Sequence, residues 1–307
     1  MLSIEPSGRI LGATLHGANL ADPLNESDIG TVLFALGEYG VVRFPGQNLT
    51  PARHIAFARQ FGTTQKVTVA HIPEHPDMSV LSNIVENGKP LGIADAGVVW
   101  HRDMTYQQPP GFANILHAII VPKRKGTAIG DTQFVDSQAA YDDLPDDLKA
   151  RLRGKGGIHK GSFYQERIRE QYAAAVGGTQ DNRYKRPDTI HPIVLTHPIS
   201  GRPVLYCDSS HVSRIDGLSE SESDEILHFL NAHQIQPKYL YSYSWTEGDV
   251  VMWDNFRSLH RGSFDYTDDE PRLIRRCQIL SDKILDPAFM TSALAKAGRP
   301  YSAAPPQ

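Results

Sequence analysis

Short runs of β-type residues recur from one end of this chain to the other, separated by glycine, proline and asparagine. They fall at Gly40 to Phe44, Met78 to Ser82, Ala113 to Val121, Thr132 to Val135, Ile193 to Thr196, Val204 to Tyr206, Tyr239 to Ser244, Asp249 to Trp253 and Arg272 to Leu280. Strands of that length, punctuated in that way, predict a sandwich or barrel. Helical periodicity is rarer. Thr50 and Pro51 supply an N-cap and a rigid first helical position, His54 to Phe61 carries apolar spacing, and Gly62 offers a stop. Ser219 and Glu222 form a capping-box pattern ahead of Ile226, Leu227, Phe229 and Leu230, which give one apolar face up to about His233. Further helices are expected from Asn25 to about Tyr39 and from Ser137 to Leu152, the latter interrupted by Pro145. The pattern therefore predicts a mostly β chain with peripheral helices, an α+β protein.

Two stretches lack periodicity and read as lids. Ile84 to Val98 holds three glycines, and a structureless loop of that length is usually functional. The second lid, 154–187, falls in the segment Arg151 to Arg186, which has nine basic and three acidic residues and offers a surface for an anionic substrate or a subunit contact. Residues 302–307 read as a frayed tail.

Composition narrows the classes. At 307 residues, 40% hydrophobic and 21% charged, the chain is long enough for a sizeable core, and a single domain over 1–307 is expected. Thirty-one basic residues against 35 acidic ones give a formal charge of −4, so no overall attraction draws it to nucleic acid or an anionic membrane. Small-molecule chemistry is the better expectation. Cys207 and Cys277 stand far apart and outside any Cys-x-x-Cys arrangement, which predicts two buried thiols in a reducing compartment rather than a disulfide or thiolate zinc site. Met1 to Asn19 lacks a basic stretch followed by an apolar run, and no segment reaches the ~18 apolar residues that span a bilayer. A cytoplasmic location is expected.

The chemistry concentrates in two places. Val98 to Tyr106 reads as a strand, in which His101 and Asp103 would point to the same face. An imidazole and a carboxylate, joined by one more histidine, make the facial triad of non-haem iron(II) enzymes, which leaves coordination positions open. Much later, Glu247 to Arg261 forms a strand and turn containing His260, followed by the arginine-rich run Arg272 to Arg276. Alternation puts Arg272, Ile274 and Arg276 on one face, and guanidinium groups turned inward are costly unless each meets an anion. His117, inside an apolar strand, reads as a core or outer-sphere histidine. Two other readings fit the same residues: a zinc-dependent hydrolase, since two histidines and an aspartate also bind zinc with an open position, and a non-catalytic binding protein.

Taken together, Trp100-His101-Arg102-Asp103-Met104-Thr105-Tyr106, Gly130-Asp131-Thr132, Trp253-Asp254-Asn255 ahead of His260, and the closing arginine strand resemble the taurine dioxygenase and aryloxyalkanoate dioxygenase family. Phe44-Pro45-Gly46-Gln47 and Phe61-Gly62 extend the resemblance from about Ile10 to about Leu280. It implies a double-stranded β-helix, a cupin-like jelly roll. It also implies an enzyme using Fe(II), α-ketoglutarate and O2 to oxidise a C–H bond, with release of succinate and CO2. His101, Asp103 and His260 would then be the metal ligands, and Thr132 with Arg272 would hold the distal carboxylate of α-ketoglutarate. Arg276 would face an acidic group of an anionic substrate, a carboxylate or sulfonate, and Tyr106 would line its pocket. Association into a dimer or tetramer is a further implication of the resemblance. The chain departs from the taurine enzyme at Gly97, where that enzyme has asparagine, and near Val67, where its substrate histidine has no clear counterpart.

Overall fold

The computed structural model describes residues 2–67, 70–161 and 187–301. The tail at 302–307 lies outside the described residues, as does the basic lid beyond Gly161 up to residue 186.

The apolar strand Gly111–Ile120 forms the axis of an eight-stranded sheet. It pairs antiparallel with Val250–Asp254 on one side and Leu273–Leu280 on the other, so that Ile115 stands opposite both Met252 and Cys277. Beyond Val250–Asp254 come Val41–Phe44, Ala13–His16 and Ser3–Pro6; beyond Leu273–Leu280 come His75–Ser82 and His71–Ile72. Val41–Phe44 and Ala13–His16 form a parallel pair. A smaller sheet has the order Leu240–Tyr243, Thr132–Asp136, Ser258–Gly262.

The period-two alternation of each strand separates two cores. Val250 and Met252 point to one side of the large sheet, where Leu33, Leu36, Phe57 and Met290 from the helices Glu26–Tyr39, Pro51–Ala58 and Pro287–Lys296 cover it. Val251 and Trp253 point to the other, where they meet Phe134 and Tyr243 of the smaller sheet, and Trp245 just beyond it, together with Leu116 and Ile274. The two sheets thus face each other across an aromatic core. A third cluster packs Leu227 and Leu230 of the helix Glu220–Gln234 on Val135, Leu205 and Leu259.

Most predicted elements form. Asn25 Oδ1 accepts from the amide of Asp28 at the helix start, and Gly40 ends that helix with φ of 69°. Ser219 and Glu222 form the predicted capping box. Pro145 splits the region around it into helices Ser137–Asp142 and Asp146–Leu152. The helix after Pro51 ends at Ala58 rather than continuing to Phe61.

Val98 to Tyr106, however, is not a strand. Only His101 pairs, through an isolated bridge to His260, and residues 103–106 turn away. Met104 takes a left-handed backbone, φ 57°, and its carbonyl accepts from the amides of Gln107 and Gly111, which closes the turn and ends the pairing. The Ile84 to Val98 loop carries some structure of its own. A hairpin joins Val85–Glu86 to Lys89–Pro90, and Ile93 bridges to Leu81 before the chain reaches His101. A three-stranded sheet of Thr189–Pro192, Gly156–His159 and Val212–Ile215 was not signalled by apolar runs. No described helix is long and apolar enough to cross a membrane.

Candidate metal centre and its recess

His101 and His260 meet because their backbones do. Each donates its amide to the other's carbonyl, at 3.2 and 3.0 Å, and the ring centroids lie 4.2 Å apart. His101 Nδ1 donates to the Val99 carbonyl at 2.8 Å, which fixes the tautomer and makes Nε2 the nitrogen that carries the lone pair. His260 is held by packing instead, with its ring 4.7 Å from Trp253 and 6.4 Å from Phe134.

Asp103 completes the group. Its Oδ1 is 3.7 Å from His101 Nε2, and its Oδ2 is 3.5 Å from His260 Nε2, both too long for hydrogen bonds. One ligating atom from each of the three side chains lies within 4.8 Å of the others, and they are the metal-capable cluster among the described residues. Gly111 is required beside them, because a Cβ there would stand 2.8 Å from the Asp103 carbonyl. Asn255 supports the turn by donating to that same carbonyl at 3.4 Å.

The electrostatics suit a divalent cation. Burial pushes both imidazoles down, His260 well below the ordinary histidine value, so both are neutral near pH 7. Burial on its own would raise Asp103, but Arg276, followed by the two histidines, outweighs it and brings the carboxyl down to about 2. Asp103 Oδ2 is shielded from solvent and has no hydrogen-bond partner among the described residues. Two neutral imidazoles and an orphaned carboxylate oxygen are the donor set that a ferrous ion takes.

Beside this group opens a recess of about 450 Å³, counting its open mouth, into which His101, His260, Thr132, Arg272 and Arg276 all project. Leu81, Leu116, Trp253, Phe264 and Tyr266 supply its apolar walls, and Ala96 with Gly97 brings the Ile84 to Val98 loop to its edge. Gly97 sits at φ 85°, where a Cβ would press on His101 Cε1 at 3.3 Å. Arg272 is 8% exposed, and its guanidinium lies over the Tyr266 ring at 5.8 Å. No carboxylate pairs with it among the described residues, and burial pushes its pKa below the ordinary arginine value. Thr132 Oγ1 accepts from the indole of Trp245 at 3.0 Å. Arg276 donates from Nε to Ser79 Oγ at 3.1 Å and places Nη1 3.7 Å from Asp103 Oδ2.

Six of the seven sequence-predicted site residues are therefore brought together: the metal cluster, Thr132, Arg272 and Arg276. Tyr106 is not on the lining of this recess; its ring lies 5.5 Å from that of His211. Sequence reasoning missed Phe264 and Tyr266, which follow His260 in an irregular loop with no apolar period, and Trp253, quoted only as part of a motif. His117 donates from Nε2 to the Gln47 carbonyl, 3.1 Å away, on the opposite side of the large sheet, and takes no part.

The sequence model described as "Taurine catabolism dioxygenase TauD, TfdA family" matches residues 3–278. The chain belongs to that family and is an α-ketoglutarate-dependent dioxygenase. Iron(II), α-ketoglutarate and O2 are accordingly its cofactor and co-substrates, and the zinc hydrolase and pure binding readings fall. Among relatives, pentalenolactone F synthase of Streptomyces arenae is 32% identical over 294 residues, covering 92% of this chain and 95% of that one. The α-ketoglutarate-dependent 2,4-dichlorophenoxyacetate dioxygenase of a Burkholderia strain is 34% identical over 271 residues, 83% of this chain and 85% of that one. A crystal structure of AAD-2 in complex with Mn(II) and N-oxalylglycine superposes with a TM-score of 0.76 at 27% identity, covering 92% of this chain and 98% of that one.

Proposed function

We propose that this enzyme oxidises a C–H bond of a small anionic organic substrate, a carboxylate or sulfonate. His101, Asp103 and His260 are its iron ligands, Arg272 and Thr132 the anchor of α-ketoglutarate, and Arg276 the anchor of the substrate. The observation that carries this reading is the pair of guanidinium groups, Arg272 buried and Arg276 half-buried, beside a three-ligand cluster in one recess. When bound, iron(II), α-ketoglutarate and O2 supply the oxidising power that functionalises the C–H bond, with release of succinate and CO2.

The chain's own residues then bind, orient and exclude water. A buried guanidinium without a carboxylate partner favours a carboxylate from outside, and Arg272, with the Thr132 hydroxyl beside it, matches the distal end of a dicarboxylate. Arg276 donates to Ser79 and flanks Asp103 on the open side, so a second anion meeting it is held next to the ligand cluster. Leu81, Leu116, Phe264 and Trp253 give the remaining wall an apolar character suited to the substrate's carbon frame. Facing sheets around such a recess support a double-stranded β-helix, with the site at its open mouth. A relative named for 2,4-dichlorophenoxyacetate, itself a carboxylate, supports the charge of the substrate.

Succinate release measured with iron(II) against a panel of aryloxyalkanoates, sulfonates and N-modified amino acids tests the proposal. Anionic members are expected to stimulate release and their neutral amides to fail. Equal stimulation by acids and amides would overturn the assignment of an anionic substrate.

A further inference from the structure

Arg102 stands between the two ligands of the metal motif, and its guanidinium is directed to the 205–211 segment and Ser137 rather than to them. Its side chain is fully buried, and no carboxylate pairs with it among the described residues. Burying a guanidinium is costly, and three hydrogen bonds and one ring offset that cost here. Nη1 donates to the Cys207 carbonyl at 2.7 Å, while Nη2 donates to the Leu205 carbonyl at 2.7 Å and to Ser137 Oγ at 2.6 Å. The Tyr206 ring lies 5.3 Å from Cζ.

These contacts continue outward. The Ser137 hydroxyl donates to Gln234 Oε1 at 2.9 Å, so its lone pairs are turned to the arginine, and Gln234 Nε2 donates back to the Cys207 carbonyl at 3.2 Å. Ser210 Oγ, from the same 205–211 segment, donates to the Trp100 carbonyl at 3.0 Å. The Glu220–Gln234 helix, the start of the Ser137–Asp142 helix and the 205–211 segment therefore converge on the peptide units around His101. On the ligand side, strand pairing is confined to the bridge with His260, and the chain turns at Asp103, so these contacts add to those of the turn.

We propose that Arg102 is a positioning residue that sets the directions of His101 and Asp103 from behind, and that Ser137 acts on the metal centre through it. The proposal rests on the iron-ligand reading given above. Groups that orient metal ligands without touching the ion typically contribute 10–100-fold to metal affinity.

Binding of Mn(II) alone to the metal-free protein, followed by calorimetry, tests this alongside thermal unfolding of the same samples. Wild type is expected to bind and His260→Ala to fail; if both bind alike, the ligand assignment itself is wrong. Given that control, Arg102→Met is expected to weaken Mn(II) binding about 10- to 100-fold, with Arg102→Lys intermediate, and without a matching fall in unfolding temperature. Ser137→Ala, which leaves the ligands and Arg102 in place, should weaken binding about three- to tenfold, the worth of one hydrogen bond. On the Arg102→Met background it should add nothing. Unchanged affinity in folded Arg102→Met, or an equal effect of Ser137→Ala on both backgrounds, would overturn the proposal. Should Arg102→Met fail to fold, Ser137→Ala decides alone, and unchanged affinity in that variant counts against the proposal.

Discussion

Arg272 and Arg276 share a recess yet differ in their surroundings, and the difference separates their expected effects. Arg272 is the more deeply buried and faces Tyr266, whereas Arg276 is tied to Ser79 and flanks Asp103. Removing one partner of a charge-assisted hydrogen bond costs about 1.5–3 kcal/mol. Arg276→Ala is therefore expected to raise KM for the organic substrate roughly 10- to 100-fold while changing that for α-ketoglutarate little, and Arg272→Leu to do the reverse. Steady-state kinetics with each component varied in turn checks this, and equal damage to both constants in either variant would refute the division of labour. A second residue-scale consequence concerns acid. His54 is fully buried beside His117, with Arg275 nearby, and burial followed by the His117 charge pushes it down to about 3 from an ordinary value of 6.5. The unfolded chain therefore takes up this proton first as pH falls through 6.5, so stability declines from there towards 3. The slope from one such group is at most about 1.4 kcal/mol per pH unit. Denaturant unfolding across that window should show a shallower pH dependence in His54→Leu than in wild type; an unchanged slope would remove His54 from the account.

At the scale of elements, the turn from Asp254 to Ser258 carries the chain from the large sheet to the small one. Asp254 Oδ1 accepts the amides of Phe256 and Arg257 at 2.7 and 3.2 Å, and its Oδ2 meets His197 Nε2 at 2.9 Å. Arg257 then pairs with Asp136 through two hydrogen bonds and caps the Gly37 and Glu38 carbonyls. Breaking a buried pair by removing one member leaves the other charge stranded, at about 3–5 kcal/mol. Arg257→Met should therefore lower stability by that order in urea titration, although the residue is remote from the recess; a loss below ~1 kcal/mol would show that the pair contributes little. This element also illustrates what the sequence could and could not disclose. The Trp253-Asp254-Asn255 motif was legible as a family mark, and so was the strand before it, because Val250, Val251, Met252 and Trp253 form a continuous apolar run of strand length, buried on both faces. The role of the motif as a sheet-to-sheet turn was not, since it depends on His197 and Asp136, which come from elsewhere in the chain. The Val98 to Tyr106 segment shows the converse. Alternation placed His101 and Asp103 on one side, which a single bridge and a turn also achieve, while the strand itself was ended by a left-handed Met104 that no apolar pattern marks.

For the whole molecule, the metal cluster joins the turn after His101 to the small sheet, and the recess lies against both sheets. A ligand that binds only this arrangement stabilises all of it. With Mn(II) and α-ketoglutarate each at about a hundred times its dissociation constant, folding should gain on the order of 3 kcal/mol or more, and Tm should rise by roughly 5 °C or more. Differential scanning fluorimetry checks the shift, and Asp103→Ala should abolish it. The sequence disclosed the cluster and the five central strands of the large sheet, because these are written in runs or motifs of a few residues, but not its edge strands Ser3–Pro6, Ala13–His16 and His71–Ile72. It did not disclose the Thr189–Pro192, Gly156–His159, Val212–Ile215 sheet, whose short strands include an outward Ile190 and reflect pairing between distant segments rather than any local pattern.

Strand order has a bearing on synthesis. Val250–Asp254 inserts between Val41–Phe44 and Gly111–Ile120, and Leu273–Leu280 closes against the other edge of Gly111–Ile120. A nascent chain emerging from the ribosome thus carries two of the three candidate metal ligands, His101 and Asp103, well before the third, with a gap in its main sheet until Val250–Asp254 and Leu273–Leu280 have emerged. The three-ligand cluster is complete only once His260 has emerged, so on the proposed ligand assignment capture of metal and closure of the main sheet fall together.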